Sequence, residues 1–246
     1  MKNTVTETFN IDVPIFAFSH CRDVVAAVSK AGGFGVLGAV GHSPDALEID
    51  LKWIEDEVGE RPYGVDLIVP AKYEGSDEGG LTVHKIADMI PDAHHEYVTE
   101  ILEKYDVPEL AETKSGQFSM KNDGAAPMSA GTAGPQLEIA LAHNPSLVVN
   151  ALGPPPQFMI DQVKEAGRKV GALAGKAQHA ERHVNAGVDL IIAQGYEAGG
   201  HTGEIGSMVL IPEIVDAVGD VPVLGAGGIG PVSYTHLRAH ETMEYR

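Results

Sequence analysis

Seven times this chain gathers a short apolar run without polar alternation: Pro14–Phe18 (PIFAF), Phe34–Ala39 (FGVLGA), Tyr63–Val69 (YGVDLIV), Leu147–Leu152 (LVVNAL), Lys169–Ala174 (KVGALA), Asp189–Gln194 (DLIIAQ) and Pro222–Ala226 (PVLGA). Strands buried on both faces of a parallel sheet read this way. Helical stretches lie between the runs. In SKAGGFGVLG, KEAGRKVGAL, VNAGVDLII and AVGDVPVLG a glycine stands just ahead of the next run. Glycine accepts the left-handed conformation that ends a helix, so each is a helix-stop, strand-start junction. Ser43-Pro44 opens another helix, with serine as cap and proline in the first turn. Leu47, Leu51 and Ile54 then share one face of it. Repeated strand–helix units with short junctions mean crossover connections and a parallel sheet. Seven candidate strands point to an α/β fold of the TIM-type (β/α)8 barrel kind, incomplete at about seven βα units. A doubly wound sheet shares the same periodicity.

The chain can bury one sizeable core, with 246 residues of which 43% are hydrophobic. Aromatics at 6% and 29 glycines suit an α/β protein with tight turns better than a β-sandwich. A net charge of −18 repels nucleic acid and anionic membrane surfaces. It leaves room for an anionic ligand held by local backbone N–H groups. One cysteine, Cys21, permits no intramolecular disulfide and suits a reducing compartment. Cys21 follows the first run and reads as an ordinary small buried residue. The N-terminus lacks a signal-peptide core, and no apolar run reaches the ~18 residues of a membrane span. The expectation is a soluble cytoplasmic protein with no nucleic-acid or membrane partner. Nothing in the pattern sets an oligomeric state.

One segment breaks the rhythm. Residues 70–131, after the third run, carry polar and Gly-rich patches around one clear helix with Tyr97, Ile101, Leu102 and Tyr105 on its apolar side. A long excursion from a strand end is either a lid over a site or a passive insertion.

Active sites of parallel barrels lie at the C-terminal strand ends. Gln194 ends the sixth run and offers an amide donor and acceptor. Gly199 and Gly200 let the backbone approach a flat ligand, and His201 follows them. Histidine titrates near neutrality and can take a proton there; a plain loop histidine on a glycine turn fits the same spacing. His94 and His95 are neighbours that do not share a helix face, which argues against a metal site. GAGGIG, residues 225–230, follows the seventh run, where successive backbone N–H groups could cradle a phosphate.

Together AAVSKAGGFGVLGA, VVNALG, IIAQGYEAGGHTG and VPVLGAGGIG resemble the nitronate monooxygenase family, from about Pro14 to Gly230. The resemblance implies a barrel holding FMN at its C-terminal mouth. It implies oxidation of a nitronate, or a nitroalkane, by O2 to a carbonyl compound and nitrite. His201 matches the family's active-site histidine, which takes the α-proton of neutral nitroalkanes in some members. Gln194, Gly199 and Gly200 match flavin contacts, and Gly227 and Gly228 match the first phosphate loop. Asp66 falls where many members have an asparagine near the flavin. Ala17 and Phe18 fall at the first flavin-contacting loop, where the family's APM is here FSH, Phe18–His20. Two other readings remain open: an NAD(P)H-dependent enoyl-thioester reductase of the same superfamily, and a non-catalytic phosphate-binding barrel fragment.

The chain closes with PVSYTHLRAHETMEYR, Pro231–Arg246, which carries no repeated apolar period. A barrel of this kind continues here with a seventh helix and an eighth strand and helix. SYTHLRAHET resembles a foreign translation recurrent at broken ends of metagenomic sequences. The expectation is a truncated family member, with one FMN-binding domain over 1–231 and a non-native tail over 232–246. Such a chain would leave edge strands unpaired and grip FMN weakly.

Overall fold

The computed structural model describes residues 2–70, 81–108 and 130–230. In chain order the elements are α1 (Thr4–Phe9), β1 (Phe16–Ser19), α2 (Arg22–Lys30), β2 (Phe34–Gly38), α3 (Pro44–Val58), β3 (Tyr63–Leu67), α4 (Val83–Asp88), α5 (Asp92–Lys104), α6 (Ala130–Ala142), β4 (Leu147–Asn150), α7 (Gln157–Glu165), β5 (Lys169–Ala174), α8 (Ala177–Ala186), β6 (Leu190–Gln194), α9 (Ser207–Val218) and β7 (Val223–Ala226). The seven strands follow the order β1-β2-β3-β4-β5-β6-β7 in one sheet. The pairs β1·β2, β2·β3, β3·β4, β5·β6 and β6·β7 are all parallel. This is the strand order of an incomplete TIM-type barrel, as the apolar runs lead one to expect. The chain packs as two compact units, Met1–Val170 and Gly171–Arg246.

In the first unit, α3 forms where its cap requires. The Ser43 side chain accepts from the Ala46 N–H at 3.3 Å, and Pro44 takes the first helical position. Leu47, Leu51, Ile54 and Val58 are buried along one face. They join Phe34, Leu37, Leu67 and Leu147 in the core. The apolar pattern does not announce α1. Its start is a reciprocal cap: Asn3 accepts from the Thr6 N–H at 2.9 Å, and Thr6 Oγ1 accepts from the Asn3 N–H at 2.9 Å. Phe9 at its end meets Phe16 and Phe34 edge-on at 5.3 and 5.1 Å, while those two rings stack at 4.6 Å. Phe16 and Phe34 begin β1 and β2, so α1 covers the N-terminal ends of those strands.

The N-terminal end of β3 carries a closed polar network. The Tyr63 hydroxyl donates to Glu55 Oε1 at 3.0 Å, and the Asn144 N–H donates to the same oxygen at 2.7 Å. His143 lies between Glu55 Oε2 at 2.9 Å and Glu48 Oε2 at 3.0 Å. Burial opposes charge on both partners. Hydrogen bonds from His143, Asn144 and Tyr63 nonetheless hold the Glu55 carboxyl below its usual range. The two glutamates likewise raise His143 above its usual range despite its burial.

In the second unit, Leu190 and Ile191 of β6 and Leu210 and Ile214 of α9 are buried. His183 on α8 is buried, and its Nε2–H donates to the Leu173 carbonyl at 3.1 Å. Burial lowers its pKa, which keeps the ring neutral. Gly32, Gly167, Gly187 and Gly219, the expected helix stops, all have positive φ.

Four expectations need correction. Cys21 is exposed, because it caps α2 and directs its thiol toward Asp23 Oδ2 at 3.5 Å. The runs that form β1 and β7 are not buried on both faces: among the described residues each strand has a single strand neighbour, as the edge strands of an incomplete barrel would, and Phe18 is 56% exposed. Between residues 70 and 131 there are two described helices, α4 and α5, and α6 already begins at Ala130. No residue of α5 is buried, so Tyr97, Ile101, Leu102 and Tyr105 all face outward. The tail expected over 232–246 lies outside the described residues. Among the described residues no helix is long and apolar enough to cross a membrane.

Candidate active site

The expected site residues fall at C-terminal strand ends in each unit. In the first unit, Asp66 lies next to the end of β3 and pairs in register with Gly38 of β2 and Val149 of β4. Register partners in parallel strands present their side chains on the same face. A side chain at Gly38 would collide with the Phe18 ring and with His20 Nδ1. The rings of Phe18 and His20 meet edge-on at 5.0 Å, and His20 Nδ1 lies 2.9 Å from the Gly38 carbonyl. The backbone gap at Gly38 therefore brings Phe18 and Asp66 toward one patch, with Ala17 half-buried behind it.

Asp66 is 9% exposed, and its Oδ1 is buried without a hydrogen-bond partner among the described residues. Burial alone pushes its carboxyl up to about 8. At neutral pH Asp66 is then a protonated acid with an O–H to donate. A buried polar atom without a partner, at the end of a barrel strand where ligands bind, fits the polar edge of a bound group such as a flavin ring.

Asn150, which the sequence reading passes over, organises the neighbouring strand end. Its Oδ1 accepts from the Val69 N–H at 2.8 Å, and its Nδ2 donates to the carbonyls of Leu152 and Gly153 at 3.1 and 3.2 Å. These bonds end β4 two residues before the apolar run does. An asparagine closing an apolar run was the available signal.

In the second unit, Gln194 ends β6, and its Nε2 donates to the Gly199 carbonyl at 3.2 Å. One end of the amide is thus used to shape the loop. The loop closes on itself through the Tyr196 N–H and the Ile205 carbonyl at 2.9 Å. It is joined to β7 through the Gly195 N–H and the Ala226 carbonyl, also at 2.9 Å. Gly199 and His201 are exposed, and Gly200 sits at φ 76°. After β7, Gly227 and Gly228 have φ of 114° and 67°, the left-handed backbone from which successive N–H groups can form an anion-binding concavity.

Two residues of this corner have no sequence-level expectation. Glu197 Oε2 accepts from the Ser207 N–H at 2.7 Å and from the Ser207 hydroxyl at 2.9 Å. The Ser207 N–H holds the Glu197 carboxyl below its usual range. Ser207 begins α9, so Glu197 fills that helix's N-terminus with a carboxylate.

A cavity of about 470 Å³ lies at the other end of the strands, lined among others by Phe9, Arg61, Tyr63, Asn144 and Ser146. Two of its charged groups are engaged within the fold: Arg61 pairs with Asp12 at 2.7 Å, and Glu55 belongs to the network at Tyr63. It lies at the N-terminal strand ends, which carry stability rather than chemistry in barrels.

The sequence profile of the nitronate monooxygenase family matches residues 2–233. A protein of Mycobacterium tuberculosis, provisionally named a monooxygenase, is 49% identical over 229 residues, covering 93% of this chain and 60% of its own length. A Staphylococcus saprophyticus protein named probable nitronate monooxygenase is 30% identical over 244 residues, covering 93% of this chain and 61% of its own. The chain thus spans about 60% of the length of these curated relatives. Among solved structures, a nitroalkane oxidase from Streptomyces ansochromogenes superposes with a TM-score of 0.65 at 25% identity, over 92% of this chain and 61% of that one. FabK from Thermotoga maritima superposes with a TM-score of 0.64 at 23% identity, over 93% of this chain and 55% of that one, a likeness of fold.

Proposed function

Because the chain belongs to the nitronate monooxygenase family, we propose that it is the FMN-binding portion of a flavin-dependent oxidoreductase that converts nitronates and O2 to a carbonyl compound and nitrite. The observation that carries this reading is the exposed His201, on a glycine turn beyond the end of β6, without a hydrogen bond to the described residues. A nitronate is already a carbanion equivalent and needs no base. A neutral nitroalkane does, and a ring nitrogen of His201 would take its α-proton. When charged, the same ring would attract the nitronate anion.

Bound FMN would supply the electron exchange between the substrate and O2. The backbone N–H groups of Gly227 and Gly228 would hold its phosphate. In the second unit, Gly199 and Gly200 would let the loop lie close to the ring, and the free end of the Gln194 amide would face it. In the first unit, taken by itself, Asp66 as a neutral acid would offer a donor to a bound group, with Ala17 and Phe18 of β1 as flavin contacts of the kind the family resemblance implies. The helices between residues 70 and 131 would act as a lid or stand apart as an insertion. The single cysteine suits a cytoplasmic setting.

Purified protein should be yellow, lose its colour anaerobically on adding a nitronate, and release nitrite in air. Bleaching by NADPH in place of the nitronate would move the assignment to an enoyl-thioester reductase. A colourless protein that takes up no added FMN would leave a non-catalytic barrel fragment.

A further inference from the structure

Two loops of the second unit meet around one side-chain pair that neither the proposed chemistry nor the glycine motifs account for. Glu197 belongs to the loop after β6, and Ser207 opens the helix that follows it. The Ser207 hydroxyl lies 2.9 Å from Glu197 Oε2, 2.9 Å from the Gly227 carbonyl and 3.5 Å from the Ala226 carbonyl. All three neighbours are acceptors, and the hydroxyl has one proton. It therefore donates to the carboxylate or to the glycine loop, one at a time. The Ser207 N–H keeps Glu197 in place in either arrangement, at 2.7 Å.

Packing around the pair admits little else. A side chain on Gly195 would fall on Ser207 itself. One on Gly227 would come within 2.8 Å of the Ser207 hydroxyl and 3.0 Å of the Ala198 nitrogen, and one on Gly228 within 3.0 Å of Glu197 Cβ. Glycine at 195, 227 and 228 is what lets the loops approach Ser207, which is buried, while Glu197 reaches it from the exposed side. Ser207 is buried at 7% exposure although it stands at a helix start.

We propose that Glu197 and Ser207 are positioning residues that latch the His201 loop to the glycine loop after β7, so that the proton-transferring ring and the phosphate cradle are held as one body. A charged acceptor makes these bonds stronger than neutral ones, which suits a loop made of glycines that has no stiffness of its own. The bonds of the pair run within the chain, and it would act through the backbone of Gly227 and through the loop that carries His201. The ligand part of this inference rests on the FMN reading, whereas the latch itself is a property of the free chain.

Amide hydrogen exchange on the free 246-residue protein tests the latch, with Ser207→Ala, Glu197→Ala and the double variant. Each single change should speed exchange roughly tenfold across the loop amides of Gly195, Tyr196 and Ala198, and the double variant should add nothing more. Glu197→Gln keeps an acceptor oxygen and should retain most of the protection. Faster exchange confined to the first turn of α9, or effects that add, would make the two residues separate helix caps and overturn the latch. FMN titration is the second readout. Ser207→Ala should weaken binding about tenfold, while Glu197→Gln should stay within about twofold of the parent. If the parent takes up no FMN, the cofactor reading fails, and exchange still decides the latch. If the parent binds and Ser207→Ala binds equally well, the latch does not serve the ligand and the inference falls.

Discussion

Strand β3 ends in two different ways. At Tyr63 the phenol, two glutamates, a histidine and a backbone N–H close into one network. At Asp66, three residues on in the same strand, a carboxyl oxygen is buried with no partner among the described residues. The flanking residues are equally buried, so burial does not separate the two ends. Completion does. Four buried side-chain atoms lack a partner among the described residues, His42 Nδ1, Asp66 Oδ1, Arg168 Nε and His183 Nδ1, and Asp66 supplies the one carboxyl oxygen of the four, an acceptor left for something outside the fold. In a parallel barrel the open one stands at the end where ligands bind.

If the C-terminal strand ends serve chemistry, changing His201 should cost turnover and spare the fold. His201→Asn should slow nitroalkane oxidation by roughly 10²-fold or more, as loss of a general base does, with less effect on a preformed nitronate. Its melting temperature should match the parent's. Equal turnover on nitroalkanes would remove His201 from the proposed role.

Asp66→Asn tests the open end itself. The folded carboxyl is raised to about 8 from an ordinary value of 3.8. Its proton is thus held more tightly in the folded chain. The associated stability is complete below the ordinary value and is lost as pH climbs through about 8. Asparagine is neutral throughout. The variant should gain on the parent steadily from about pH 4 to about pH 8, by about 1.4 kcal/mol per pH unit at most, seen as a Tm difference that widens with pH and levels off near about pH 9. A gap that does not change with pH would mean that Asp66 ionises freely.

The closed end should respond less. His143→Gln removes the bridge between Glu48 and Glu55, and should cost about 1 kcal/mol or about 2–4 °C, since Glu48 is 56% exposed and well screened. The folded His143 is raised, so this support is complete below the ordinary histidine value and fades as pH rises through the raised one. The deficit of the variant should therefore shrink from about pH 6 to about pH 9. A deficit that grows over that range would contradict the network. Smallest of all, Lys52→Ala cuts a pair with Asp56 whose partners are 70% and 66% exposed, and should shift Tm by no more than about 1 °C. A larger shift would mean that the surface of α3 matters more than its buried face.

Much of the scaffold was legible. Gly32, Gly167, Gly187 and Gly219 ended helices because a positive φ is a local demand, written at one position. Ser43 and Pro44 opened α3, and Leu47, Leu51 and Ile54 faced inward, for the same reason: each rule spans a turn or two of chain. The site was legible only in part. Asp66, Gln194 and His201 could be placed at strand ends, but the isolation of Asp66 depends on Gly38 and Val149, contributed by other strands. Glu197 and Ser207 meet across a loop and reach Gly227 beyond a whole helix, and no local spacing encodes such a meeting. The two aspects of Phe18 also came apart. Its apolar character reads as core, while its position on an edge strand leaves the ring at the surface.

The sequential strand order also sets a timetable. β1 and β2 each pair with the strand that follows next in the chain, so these contacts can form as soon as each new strand leaves the ribosome. β3 and β4 are the exception. They pair too, but the chain makes its longest detour between Leu67 and Leu147. The entropy of closing that loop grows only slowly with its length, by about 0.6 kcal/mol per doubling. The detour therefore costs time more than stability. During synthesis the β4 edge of β3, with Asp66 on it, waits uncovered until Leu147–Asn150 arrives, and β3–β4 docking is the step at which assembly of the first unit slows.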